Sequence, residues 1–206
     1  MEEKRINEAE SLVIITEMIE RSNIRRNLGN GSIMLMWGYL AVIVTAAVWI
    51  LLAVTGNPDW NWLFYAIPVI GSIATPVMAR RQERAQGCKT YADRISNALW
   101  TIVGVVGATA IVICTVFSLC GYRGSWNAMF VVALLVVGFG EAIQGAVIEM
   151  KAMRFGGAIG MLAGLALLCA ICAGVPLSAN WVLPLFIVAF ICMMIIPGHI
   201  LNCKTR

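Results

Sequence analysis

The chain is polar up to Ser32 and then becomes almost continuously apolar, with short polar interruptions. Long apolar stretches fall at 33–55, 62–79, 99–119, 126–149, 155–176 and 181–201. Each is apolar on all sides, so the pattern has neither the one-sided stripe of a soluble helix nor the alternation of a barrel strand. A bilayer core is about 30 Å thick and takes about 20 mostly apolar residues to cross as a helix. In lipid the backbone must satisfy its own N–H and C=O groups, and runs of this length do so as helices. The pattern predicts an all-α membrane protein with six transmembrane helices.

The leading polar segment has its own periodicity. Asn7 is placed as an N-cap with Glu10 three residues on, which predicts a helix over about 8–26. Leu12, Ile14, Ile15, Met18 and Ile19 fall on one side of it, and Glu10, Glu17, Glu20 and Arg21 on the other. Gly29-Asn30-Gly31-Ser32 reads as a flexible joint. The chain thus divides into an amphipathic helix and joint (1–32), a transmembrane domain (33–202) and a short tail (203–206). The opening Met1-Glu2-Glu3-Lys4-Arg5, so far ahead of the first apolar stretch, is not the pattern of a secretory signal, and the first helix is expected to stay as an anchor.

Composition agrees with the class: 60% of residues are hydrophobic, 13% are charged and the mean hydropathy is +0.84. Charge adds an orientation. All fifteen Lys and Arg lie outside the apolar stretches. Lys4, Arg5, Arg21, Arg25, Arg26, Arg80, Arg81, Arg84, Lys89, Arg94, Lys151, Arg154, Lys204 and Arg206 fall on one side of a six-helix topology, and only Arg123 on the other. The positive-inside rule makes the first side cytoplasmic, with both termini there. The connections on the far side are short, at 56–61, 121–125 and 177–180, and leave no room for an external domain. They arrange the helices as three hairpins. Each returning helix opens with Trp and Asn, as Asn61-Trp62, Trp126-Asn127 and Asn180-Trp181. A threefold repeat would leave that mark, but so would an aromatic belt, which also accounts for Trp60.

Through Glu20 the N-terminal segment carries six Glu against Lys4 and Arg5, whereas helices that lie on anionic lipid face it with cations. Its Leu12, Ile15 and Ile19 stripe is therefore expected to dock on protein. Arg80, Arg81 and Arg84, in the basic loop from 80 to 96, offer a complementary surface, although such a loop is also the ordinary topology signal. The partners expected are the lipid bilayer and a second copy or another membrane protein, with no nucleic acid.

Candidate chemistry is sparse. Glu141 is the one acid at depth, with Gln144 one turn further along the fourth helix. An ionisable group at mid-bilayer costs at least about 2.5 kcal/mol, so a substrate or proton site is one reading. The other is interhelical glue, with a neutral Glu141 and Gln144 bonded to a facing Ser72, Thr75, Thr101 or Thr109. Gly156, Gly160 and Gly164 form overlapping G-x-x-x-G repeats that suit close packing within the bundle or between copies. Pro68, Pro184 and Pro197 are expected to kink or end their helices, and His199 to cap helix-end carbonyls. The seven cysteines form no disulfide framework, and Cys169-x-x-Cys172 on an apolar helix reads as packing. No motif of a hydrolase, nucleotide-binding loop or metal site is present, so neither an enzyme nor a cofactor is expected.

Three short stretches, Trp37-Gly38-Tyr39, Asn57-Pro58-Asp59-Trp60-Asn61 and Ile196-Pro197-Gly198-His199-Ile200-Leu201, resemble those of an uncharacterised family of small bacterial six-helix inner-membrane proteins. The resemblance implies a bacterial inner membrane and carries no functional residues. The residues favour a non-enzymatic protein with a regulatory or scaffold role. The alternative is a small transporter or proton-linked carrier using Glu141 and Gln144.

Overall fold

The computed structural model describes residues 31–86, 91–122 and 124–205, together with Val13 and Thr16. Apart from Val13 and Thr16, the helix expected over 8–26 lies outside the described residues, Leu12, Ile15 and Ile19 included. So do the side chains from 82 to 92, Arg84 among them.

Among the described residues there are helices and turns and no strand. The helices are α1 (Gly31–Thr55), α2 (Ala66–Gln86), α3 (Tyr91–Leu119), α4 (Ser125–Val147), α5 (Lys151–Cys172), α6 (Ala179–Phe190) and α7 (Ile196–Thr205). A 3₁₀ segment (Pro58–Tyr65) leads into α2, and a π-helical turn (Ile191–Ile195) joins α6 to α7 as one sixth span. Six helical stretches are long and apolar enough to cross a membrane, as the hydrophobic pattern predicts.

Several boundaries differ from the expected ones. α1 starts at Gly31, inside the expected joint. α2 runs on to Gln86 and α3 begins at Tyr91, so the stretch from 80 to 96 is mostly helix rather than a basic loop. Helical backbone satisfies itself equally well beyond the hydrocarbon, so charged residues extend these spans without ending them. Pro68 falls in the first turn of α2, where a missing N–H costs little; the proline in the interior of α2 is Pro76. Pro184 lies inside α6, and Pro197 follows the π turn. A proline clashes with the carbonyl four residues back, here Met193, and a widened turn relieves such a clash.

The packing is uneven. α4 and α5, joined by the tight turn at Ile148–Met150, form the most extensive pair, and α1 packs chiefly on the sixth span. α2 rests on α1, and α3 on α4. The windows that define the second and third spans are only 6% buried, against 28–44% for the other four. The core therefore lies among α1, α4, α5 and the sixth span, around Val48, Leu134, Leu167, Leu183 and Met193. A ladder of rings runs through it: Phe64 meets Phe130 at 5.3 Å, Phe130 meets Phe186 at 5.3 Å, and Phe186 meets Phe190 at 4.5 Å.

Candidate functional site

The buried face of α4 carries Phe130, Val131, Leu134, Gly138, Glu141, Gln144 and Gly145, at the spacing of one helical stripe. Glu141 therefore points into the packed interior and is completely enclosed. α4 continues six residues beyond Glu141, to Val147, about 9 Å at 1.5 Å per residue.

Glycines bring the helices together on either side of it. A methyl at Gly138 would stand 2.9 Å from the Gly157 carbonyl oxygen, and one at Gly145 would stand 2.7 Å from the Arg154 amide nitrogen. A methyl at Gly157 would stand 2.5 Å from the Ala142 nitrogen and from the Gly138 oxygen. The α4–α5 contact is thus backbone to backbone. Gly140, on another side of α4, lies against Val103 and Trp100 of α3.

The Gly156, Gly160 and Gly164 series is absorbed within the chain. Gly156 faces the Cys192 carbonyl and Met193 of the π turn, Gly160 faces Met193 and Gly138, and Gly164 faces Leu134 and Leu135. Gly157 makes the tightest backbone approach to α4, and its partner position Gly138 was visible only as one glycine among several around Glu141.

The expected hydroxyl partners do not reach Glu141. Ser72 donates to the Pro68 and Val69 carbonyls, Thr75 to Gly71, Thr101 to Asn97 and Thr109 to Val105, each within its own helix. Both carboxylate oxygens of Glu141 and Oε1 of Gln144 are buried without a hydrogen-bond partner. Thr45 on α1 is likewise fully buried with an unpartnered hydroxyl, whereas Thr55, Thr75, Thr101, Thr109 and Thr115 all bond the carbonyl four residues back. Thr45 sits in an unbroken apolar run, and nothing in the sequence marks it out.

Arg154, in the first turn of α5, does not point at Glu141 either. Its Nε donates to the Gly145 carbonyl at 3.1 Å and its guanidinium also reaches the Ala146 carbonyl, which completes the C-terminus of α4.

The stretches at 37–39 and 196–199 meet in space. Gly38 lies against Met194 and Ile195, and Gly198 against Leu35. The Tyr39 hydroxyl shares a 2.8 Å hydrogen bond with His199 Nε2. His199 thus bridges α7 to α1, in place of the expected role as a cap. Trp37 turns the other way: its ring covers Gly71 and its Nε1 donates to Thr75 Oγ1 at 2.9 Å.

Arg80 and Arg81 are exposed near the end of α2. Cys169 and Cys172 are exposed on α5 rather than packed. Among the described residues no three of His, Cys, Asp and Glu cluster as metal ligands would. At the opposite ends of the spans, Trp62, Tyr65 and Trp126 pack ring on ring with centroids 5.4–5.8 Å apart.

Comparison with family models, with curated proteins and with solved structures finds no match to this chain.

Proposed function

We propose that the chain is a non-enzymatic multi-pass protein of a bacterial inner (plasma) membrane. In this reading it packs with itself or a membrane partner and presents its N-terminal helix and basic stretch to the cytoplasm in a regulatory or scaffold role. The observation that carries the reading is the make-up of the interior: among the described residues, Thr45, Glu141 and Gln144 are the buried polar side chains in an otherwise apolar core. Permeation paths are lined by more polar groups than that. The fourteen-to-one division of cations supports termini on the cytoplasmic side and three hairpins closed on the outer side. Kinship with small bacterial six-helix inner-membrane proteins, through the stretches at 37–39, 57–61 and 196–201, belongs to the same proposal.

The test is hydrogen exchange on the full chain. Docking of the N-terminal helix through Leu12, Ile15 and Ile19 predicts protected amides over residues 8–20, with protection lost when Arg80, Arg81 and Arg84 are changed to Glu. Unprotected amides there in the wild type would sink the docking idea.

A second reading, a small transporter or proton-linked carrier, is favoured by one observation: the Glu141 carboxylate is enclosed with no donor to satisfy it. Proteoliposomes carrying the wild type and Glu141→Gln separate the two. PH-dependent uptake that Glu141→Gln abolishes while the fold persists favours the carrier.

A further inference from the structure

Three acceptor oxygens lie on one face of α4, one turn apart, with no donor: both carboxylate oxygens of Glu141 and Oε1 of Gln144. Buried polar atoms are almost always paired, and an unpaired charge is the most costly kind. The charged groups on the elements packed against α4 lie at the span ends. Arg154 is taken up by the Gly145 and Ala146 carbonyls, His199 pairs with Tyr39, Lys151 and Arg94 are exposed, and Asp93 is an acid. None of them neutralises Glu141.

A proton on Glu141 would remove the charge, and its O–H could serve Gln144 Oε1, but the remaining Glu141 oxygen would still have no donor. A cation satisfies all three oxygens together. The donor set is oxygen only and carries a single negative charge, which suits a hard monovalent ion. A divalent ion would leave a net charge in the interior, and transition metals prefer nitrogen and sulfur ligands. The backbones of α4 and α5 touch at Gly138 and Gly145, one turn on each side of Glu141, so an organic ligand has no room.

We propose that Glu141 and Gln144 bind a small monovalent metal cation, with sodium as the reference ion. Main-chain carbonyls or water complete its shell. The proposal goes beyond the regulatory reading and does not need the carrier one, because a resident ion that is never transported would occupy the same oxygens.

Dicyclohexylcarbodiimide modifies neutral carboxyls in apolar surroundings, and a bound cation displaces the proton it needs. The purified full-length protein is treated at fixed pH, with sodium titrated against choline at constant ionic strength and the modified residue located by mass spectrometry. We expect Glu141 to be labelled without sodium during transient opening of the packed helices, and labelling to slow about tenfold once sodium reaches about ten times its Kd. Glu141→Gln should abolish the label, and Gln144→Ala should keep it while raising the sodium concentration needed for protection. The melting temperature of the wild type, which depends on no variant, should rise with sodium and not with choline. Labelling of Glu141 indifferent to sodium, lithium and potassium would mean that the site takes a proton only, and would overturn the proposal. An unlabelled Glu141 with a sodium-independent melting temperature would also overturn it. Neither result bears on the exchange of residues 8–20, so failure here is distinct from failure of the regulatory reading.

Discussion

Trp37 holds α2 to α1 by shape and by one hydrogen bond: its ring needs a glycine at 71, and its Nε1 needs the hydroxyl of Thr75. Thr75 keeps its bond to the Gly71 carbonyl when the indole is lost, so the coupling can be isolated. A Trp37→Phe, Thr75→Val double-mutant cycle, read by thermal unfolding in detergent, should give about 0.6 kcal/mol, the usual size of an interhelical bond in membranes. Glycines divide by surroundings in the same way. Gly157→Ala forces a methyl onto main-chain atoms that cannot turn aside and should destabilise the protein by about 1–3 kcal/mol or prevent folding. Gly104→Ala, on α3 with nothing within 4 Å, should be neutral or stabilising by up to about 1 kcal/mol through helix propensity. Equal effects in the two variants would remove the claim that α4 and α5 meet backbone to backbone.

α3, α4 and α5 end by a common device, which one of them builds without a glycine. α3 and α5 close with a left-handed glycine, Gly121 and Gly174, at which the following amide bonds five residues back, to Phe117 and Ala170. α4 closes in the same geometry, Met150 to Gly145, but the left-handed residue is Glu149, at φ 56°. A side chain there costs about 1–2 kcal/mol. Glu149→Gly should therefore raise stability by roughly 1 kcal/mol, and Gly174→Ala should lower it by a similar amount, both measurable as shifts in the unfolding midpoint. The glycine signals are visible in the sequence. The turn at Glu149 is not, because nothing local announces it; the α4–α5 contact and the Arg154 bonds to the Gly145 and Ala146 carbonyls hold it. The π turn is similar. Pro197 marks a place where the sixth span cannot stay regular, but only Gly38, Gly156 and Gly160 packing on that turn shows where the irregularity is used.

On the scale of the molecule, the six spans are not equivalent, since two of them ride on a core made by the other four. The orientation in the bilayer rests on charge alone. Reporter fusions after the first, third and fifth spans should register the outer side and those after the second, fourth and sixth the cytoplasm. One inverted position would break the topology. What the sequence determined by itself is the number and approximate extent of the spans, because hydropathy over about 20 residues is a local sum that lipid enforces whatever the neighbours are. It also singled out Glu141, because an acid in an apolar run stands out against any background. The tertiary structure decided which helices touch, that Gly156, Gly160 and Gly164 serve contacts within the chain, and that Ser72, Thr75, Thr101 and Thr109 donate within their own helices while Thr75 also accepts from Trp37. In lipid every face of these helices is apolar, so hydrophobicity does not choose partners. The choice falls to backbone shape, set by glycines whose roles differ only through what stands opposite them.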